Sequence, residues 1–294
     1  MKPVLRTVWR VLTAVCLLSI TVGTVEAQTG SVNGEWHTYG GDLGSTRYAP
    51  LDQITAENFD ELEMVWRFNT ANLGPNPDFN YQTTPLMVDG ILYATAGSRR
   101  DVVALDAGTG ELLWVYRLDE GERGANAIRR MSGRGVAYWT DGEGDERIFV
   151  VTIGYQLVGL DASTGRPITG FGTDGIVDLK ENNDQYIDPL SGEIGWNGAP
   201  IVARDVVVVG AAHRGGSAPP TRENIKGYIR GFDVRTGSRK WIFHTIPQSN
   251  EFGRDTWLND SAVYTGNTGV WTNLTVDEEL GIAYLPIEIP TGDY

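Results

Sequence analysis

An all-β fold assembled from repeated antiparallel units is what this sequence predicts, and three observations predict it. A short phrase recurs, first as Ala104-Leu105-Asp106-Ala107-Gly108-Thr109-Gly110-Glu111-Leu112-Leu113-Trp114. It returns as Gly159-Leu160-Asp161-Ala162-Ser163-Thr164-Gly165-Arg166 and as Gly231-Phe232-Asp233-Val234-Arg235-Thr236-Gly237-Ser238-Arg239-Lys240-Trp241. Apolar residues between turn residues run in short stretches or alternate with period two, the pattern of strands. Finally, no stretch of about twelve residues keeps a helical apolar period.

The elements follow in order. Residues 36–58 are polar and rich in turn formers, with one short helical turn expected at Ile54-Thr55-Ala56-Glu57-Asn58-Phe59. Leu62-Glu63-Met64-Val65-Trp66-Arg67-Phe68 alternates as a strand does. Residues 84–95 read as two strands around the Asp89-Gly90 hairpin turn and lead to the first copy of the phrase. Arg147-Ile148-Phe149-Val150-Val151-Thr152 leads to the second copy, and residues 199–210, again strand, turn and strand, lead to the third. Residues 274–286 make one more hairpin.

In each copy the Asp carboxylate is placed to accept N–H groups across the turn, and Gly supplies a backbone conformation other residues resist. The Trp that follows gives a unit a large apolar face; the second copy has Thr169 in its place. Asp106, Asp161 and Asp233 stand 55 and 72 residues apart. A four-stranded blade of a β-propeller takes roughly 40–50 residues. The units are therefore expected to be blades carrying long insertions, which gather on one face as binding loops. Three full units and half of a fourth are visible. A propeller must close to remove its edge strands, so the chain is expected to be the N-terminal part of a longer protein. A small four-bladed ring is the alternative.

Residues 1–27 differ from the rest. Lys2, Arg6 and Arg10 form a basic start, an apolar run covers residues 11–20, and Val25-Glu26-Ala27 offers a small-residue cleavage site. This is the composition of a secretory signal, and it predicts an exported protein, periplasmic or extracellular, with its domain at residues 28–294. The only cysteine, Cys16, leaves with the signal. The formal charge of the chain is −14, and the remainder after cleavage is more acidic still, which argues against nucleic acid as a partner.

Several motifs invite a functional reading. Gly170-Phe171-Gly172-Thr173-Asp174-Gly175 matches a dinucleotide fingerprint, but a strand rather than a helix is expected after it. Asp141-Gly142-Glu143-Gly144-Asp145-Glu146 lacks the closing ligand of a calcium loop and reads as a solvated hairpin. His37, His213 and His244 lack metal-ligand spacing. His213 and Arg214 follow an apolar strand in a Gly-rich loop, where sites sit on β scaffolds. Arg129-Arg130-Met131-Ser132-Gly133-Arg134 concentrates arginine on an acidic chain, and arginine suits carboxylates or phosphates. Trp271, taken alone, reads as core.

Taken together, Gln82 before Thr84-Pro85-Leu86, the run Arg134-Gly135-Val136-Ala137-Tyr138-Trp139, Ala199-Pro200-Ile201-Val202, and Trp271 ahead of residues 276–286 stand in one order. That order resembles the quinoprotein dehydrogenases that use pyrroloquinoline quinone (PQQ), their glucose dehydrogenase-like branch above all, over residues 34–294. The resemblance implies an eight-bladed propeller of which this chain holds about the first half. It implies oxidation of a sugar or alcohol hydroxyl, with electrons passed to a membrane quinone or a cytochrome. It implies PQQ as cofactor beside a divalent cation, calcium or magnesium. In this reading Arg134 falls on the cofactor-binding arginine and Trp271 on the stacking tryptophan. Gln82, Asn197 and Ala212 fall on positions that hydrogen-bond the cofactor, Ala212 through its backbone, and His213 and Arg214 face the substrate funnel. The sequence also departs from the alcohol-type pattern. Ile128 and Arg129 stand where adjacent cysteines are expected, and Gly215 and Ile289 stand where a metal-binding Glu and Asn are expected, so no metal ligand is named. The catalytic Asp is expected beyond Tyr294, so no catalytic residue is named and the chain alone is expected to be inactive. A cofactor-free propeller serving as a protein-interaction scaffold is the competing reading.

Overall fold

The computed structural model describes residues 30–76, 78–214 and 223–290. The expected export segment at residues 1–27 and the Gly215 position lie outside the described residues. The described residues form three four-stranded antiparallel meanders and a hairpin. The first sheet is β1 (Leu86–Val88), β2 (Ile91–Ala96), β3 (Asp101–Asp106) and β4 (Leu112–Tyr116). The second is β5 (Ala137–Thr140), β6 (Glu146–Val151), β7 (Gln156–Asp161) and β8 (Ile176–Asp178). The third is β9 (Ile201–Ala203), β10 (Val206–Val209), β11 (Ile229–Asp233) and β12 (Arg239–Phe243), and the hairpin is β13 (Thr275–Asp277) with β14 (Ile282–Tyr284). Each sheet is one expected blade, and strand order follows chain order throughout. Strand β8 follows Gly175, so the dinucleotide reading is excluded by geometry. Asp141 Oδ1 accepts the N–H groups of Glu143 and Asp145, which makes the acidic stretch an Asp-closed β5–β6 turn.

Side chains from the central strands of adjacent sheets form the core. Leu86, Tyr93, Val102 and Ala104 of the first sheet pack with Ile148, Val150, Val158 and Leu160 of the second. Phe149, Leu157, Val207, Ile229, Phe232 and Val276 join the second and third sheets to the hairpin. The first strands of the second and third sheets, β5 and β9, lie against each other. Among the described residues no helix is long and apolar enough to cross a membrane.

The recurring turn has one construction in all three copies. Asp106 Oδ1 accepts the Thr109 N–H and hydroxyl, each at 2.8 Å. Asp161 does the same with Thr164, and Asp233 with Thr236. Gly110, Gly165 and Gly237 close the turns at φ values of 72°, 68° and 72°, where a side chain would be strained.

The tryptophans use their apolar faces to dock one unit on the next. Trp66 and Trp114 lie on the turn of the unit that follows them. The Trp66 ring covers Gly110 and its Nε1 donates to Ala107 O at 3.0 Å; the Trp114 ring covers Gly165 and its Nε1 donates to Ala162 O at 2.9 Å. The second unit has no such Trp. Arg147 takes its place, donating to Val234 O and Arg235 O at 2.9 Å each. Val234 follows Asp233 as Ala107 follows Asp106 and Ala162 follows Asp161, so the same carbonyl is satisfied by a different donor.

Two expectations shift. Residues 62–68 join no ladder, and Met64 and Val65 are exposed; alternation fits a strand, yet a strand needs a neighbour's backbone to pair with. The expected helical turn at residues 54–59 is displaced to a single 3-10 turn at Phe59–Glu61.

Candidate functional site

Four of the residues singled out in the sequence occupy equivalent places. Gln82, Arg134, Asn197 and Trp271 each stand three or four residues before the first strand of a unit, β1, β5, β9 and β13. Because those units are successive blades, the four side chains converge. The segments are stitched backbone to backbone: Thr84 N donates to Arg134 O at 3.1 Å, and Arg134 N donates to Asn197 O at 2.9 Å. Asn197 Nδ2 reaches Gln82 Oε1 at 3.4 Å. The Arg134 guanidinium carbon lies 5.3 Å from the centroid of the Trp271 ring, and its Nη1 donates to Trp271 O at 3.4 Å.

Local sequence explains the placement. Gly135 has φ 126°, and a Cβ there would stand 3.0 Å from Thr84 O; only glycine lets Arg134 leave the loop beside the first sheet. Ser132 N donates to Asp78 Oδ2 at 2.9 Å, and Gln82 N donates to Ser132 Oγ at 3.3 Å. These bonds fix the segment that carries Gln82 to the loop that carries Arg134.

Beneath the four lies a buried frame. Arg100 is 5% exposed, and its guanidinium donates to five carbonyls. Those of Arg129 and Met131 belong to the arginine loop, those of Val151 and Thr152 to the end of β6, and the fifth, at 2.6 Å, to Trp196. Burial, reinforced by the positive charges of Arg129 and Arg134 and opposed by Glu120 and Asp78, pulls the Arg100 guanidinium down to about 10, so it stays charged at neutral pH. Trp196 is fully buried and its Nε1 donates to Val270 O at 2.6 Å. The chain neighbours of that pair are Asn197 and Trp271, so one buried indole bond sets the distance between two of the site residues.

The remaining predicted residues are less exposed to the site. Ala212 is 2% exposed, and both its backbone groups pair with Gly195, N to O at 2.7 Å and O from N at 3.1 Å. What Ala212 retains is the second lone pair of its carbonyl. His213 is largely buried, its Nε2 3.9 Å from Glu193 Oε2. Arg214 is half exposed and donates to Glu193 Oε1 at 2.5 Å. Ile128 and Arg129 pack over Gly195. Ile289 is 68% exposed. Among the described residues no group of three His, Cys, Asp or Glu side chains is arranged to hold a metal ion.

Sequence reasoning missed Arg100, Trp196 and Glu193. Arg100 lies in a hairpin turn, Ser98-Arg99-Arg100-Asp101, where arginine ordinarily means solvent. Trp271 is the opposite case: 42% of it is exposed, although a lone Trp reads as core. One available signal was that four chemically suited residues precede the first strands of four successive units.

The arrangement suits a flat anionic group. An exposed indole offers a stacking surface, the guanidinium over its ring, 5.3 Å from the centroid, offers bidentate donors, and two amides flank them. Asn197 Oδ1 is buried with no hydrogen-bond partner among the described residues, a cost a native structure carries only for a reason. The residues present therefore fit a planar carboxylated cofactor.

Comparison with known proteins gives the same direction. The family described as glucose/ethanol/alcohol dehydrogenase, beta-propeller domain, of the PQQ type, matches residues 36–294. The glycerol dehydrogenase large subunit of Gluconobacter oxydans is 29% identical over 272 residues, covering 89% of this chain and 35% of that protein. The quinoprotein glucose dehydrogenase of the same organism is 27% identical, covering 88% and 33%. The crystal structure of quinohemoprotein alcohol dehydrogenase from Comamonas testosteroni superposes with a TM-score of 0.66 at 27% identity, covering 87% of this chain and 36% of that one. The chain spans about a third of the length of these relatives. It belongs to the PQQ-type glucose and alcohol dehydrogenase propeller family.

Proposed function

We propose, from that family membership and the convergence of Arg134, Trp271, Gln82 and Asn197, that the whole protein is an exported PQQ-dependent dehydrogenase. It oxidises a hydroxyl of a sugar or alcohol and passes electrons to a membrane quinone or a cytochrome. The secretory composition of residues 1–27 supports export. When bound, PQQ supplies a two-electron acceptor.

The chain's own residues bind and orient. Arg134 holds a carboxylate with paired N–H donors, and the Trp271 face sets the plane of the ring system. Gln82 and Asn197 donate from the flanks, and Ala212 contributes through its carbonyl side or as wall. His213 and Arg214, joined through Glu193, stand on the substrate side. A divalent cation, calcium or magnesium, accompanies the cofactor.

The observation that carries this reading is the exposed Trp271 ring with Arg134 at its face. A cofactor-free scaffold has no use for an arginine and an exposed tryptophan held together by a buried frame. The experiment is reconstitution of the full-length protein with PQQ and Ca²⁺ or Mg²⁺, then dye-linked oxidation of a panel of sugars and alcohols. Cofactor-dependent dye reduction is expected. Absence of both dye reduction and cofactor uptake overturns the proposal in favour of the scaffold.

A further inference from the structure

The cleft beside the proposed cofactor seat is lined by two arginines and no acidic side chain among the described residues. It is an open cavity of about 540 Å³, walled by Phe79, Asn80, Asn126, Ile128, Arg130 and Arg214 among others. Each wall is continuous with the seat. Asn80 lies two residues before Gln82, Ile128 and Arg130 belong to the loop that ends in Arg134, and Arg214 lies two residues after Ala212. No acidic side chain lines the cleft among the described residues, in a chain of net charge −14.

The two arginines are held, not adrift. Arg130 donates from Nε to Ala127 O at 3.0 Å and from Nη2 to Ala125 O. Arg214 is braced by Glu193, whose carboxylate lies off the cleft. Asp119 and Glu120 line a different cavity, on the other side of Arg130. There Asp119 is paired with Arg99, and Glu120 accepts from Thr152 Oγ1 and Gly154 N. Positive charge is thus presented to the cleft and negative charge kept behind it.

We propose that this cleft selects a substrate bearing a carboxylate beside the hydroxyl to be oxidised, a hydroxy acid or sugar acid rather than a neutral alcohol or sugar. Arg130 and Arg214 capture the carboxylate, and Asn80 and Asn126 offer amides to further hydroxyls. A neutral substrate leaves the Arg130 guanidinium, which is bound to backbone carbonyls alone and has no carboxylate partner among the described residues, without a counter-charge; an acid supplies that counter-charge, with Arg214, already paired to Glu193, offering its remaining N–H groups. This inference rests on the dehydrogenase reading above, and its test separates the two.

The full-length protein loaded with PQQ and Ca²⁺ is assayed on paired substrates, gluconate against glucitol and glycerate against glycerol. At low salt kcat/KM is expected to favour the acid by about tenfold or more, the preference shrinking as ionic strength rises. Arg130→Gln combined with Arg214→Gln is expected to cut the acid-to-neutral ratio by about tenfold, and Arg130→Lys in place of Arg130→Gln to restore part of it. Equal or reversed preference, or a ratio the variants do not move, overturns the proposal. Calorimetric titration with succinate, which has no hydroxyl to oxidise, gives a readout independent of turnover. Succinate binding lost in the double variant but kept in Arg134→Ala supports the cleft even if PQQ is not taken up. Binding that depends on Arg134 and not on Arg130 or Arg214 overturns it.

Discussion

At the scale of single residues, the seat depends on a side chain that never touches it. Arg100 ties the arginine loop, the end of β6 and the Trp196 carbonyl to one guanidinium. Arg100→Met keeps volume but leaves those carbonyls buried and unpaired, so about 3 kcal/mol of stability is expected to be lost, on the order of other unsatisfied buried groups. Urea denaturation with an unchanged m-value and a lowered midpoint checks this. Gly135→Ala brings a Cβ to 3.0 Å from Thr84 O at a φ of 126°, and a loss of about 1–2 kcal/mol is expected in the same assay. The sequence made Arg134 legible because arginine on an acidic chain demands a reason. Arg100 was not legible, since burial of a turn residue is decided by which sheet comes to lie over it, and no local pattern encodes that.

At the scale of elements, the repeated turn is both the most legible feature and the best place to test pH. The Thr109 hydroxyl and N–H hold Asp106 below the usual carboxylate range. At Asp161 and Asp233 partial burial works the other way and is outweighed by hydrogen bonds from Thr164 with Ser163 and from Thr236 with Arg235. A carboxyl lowered in the folded state stabilises it above the unfolded pKa of about 3.9. That contribution is lost as pH falls through the lower folded value. Thermal melts are therefore expected to be flat from pH 7 to 5 and to fall below about pH 4, and the triple variant with Asn at Asp106, Asp161 and Asp233 is expected to be less stable at pH 7 and to show a shallower acid decline. Asp101, raised by burial, works in the opposite sense. The blade count was legible because the turn repeats. Trp docking was legible only through the family resemblance; which turn Trp66 and Trp114 cover was not, because the bonds join residues as distant as Trp66 and Ala107 or Trp114 and Ala162. Nor was the substitution of Arg147 for a Trp at the third turn, since guanidinium and indole share only an N–H donor. Residues 62–68 show the limit of periodicity, which reports which faces are apolar and not whether a partner strand is present.

At the scale of the whole molecule, the fold's contribution is equivalence. Successive units present Gln82, Arg134, Asn197 and Trp271 from the same place in each, the entry to the first strand, and Trp196 and Arg100 fix their spacing. Charge is distributed on the same plan. A chain of net charge −14 gathers Arg129, Arg130 and Arg134 in one loop and sets Arg214 on the cleft which that loop borders. An anionic cofactor within and an anionic substrate outside would both be drawn to it. The family and fold were legible in the sequence from the repeat and from the order of four short motifs; the candidate site was legible as residue types, and only the structure showed which of them meet.

The most direct test of the central claim is calorimetric titration of PQQ, with Ca²⁺ present, into the full-length protein and its Arg134→Ala variant. Binding by the wild type, weakened roughly 10–100-fold in the variant as expected for loss of charge-assisted hydrogen bonds, is the predicted result. Equal affinity in the two proteins, or no binding by the wild type, would contradict a cofactor seat built on Arg134 and Trp271.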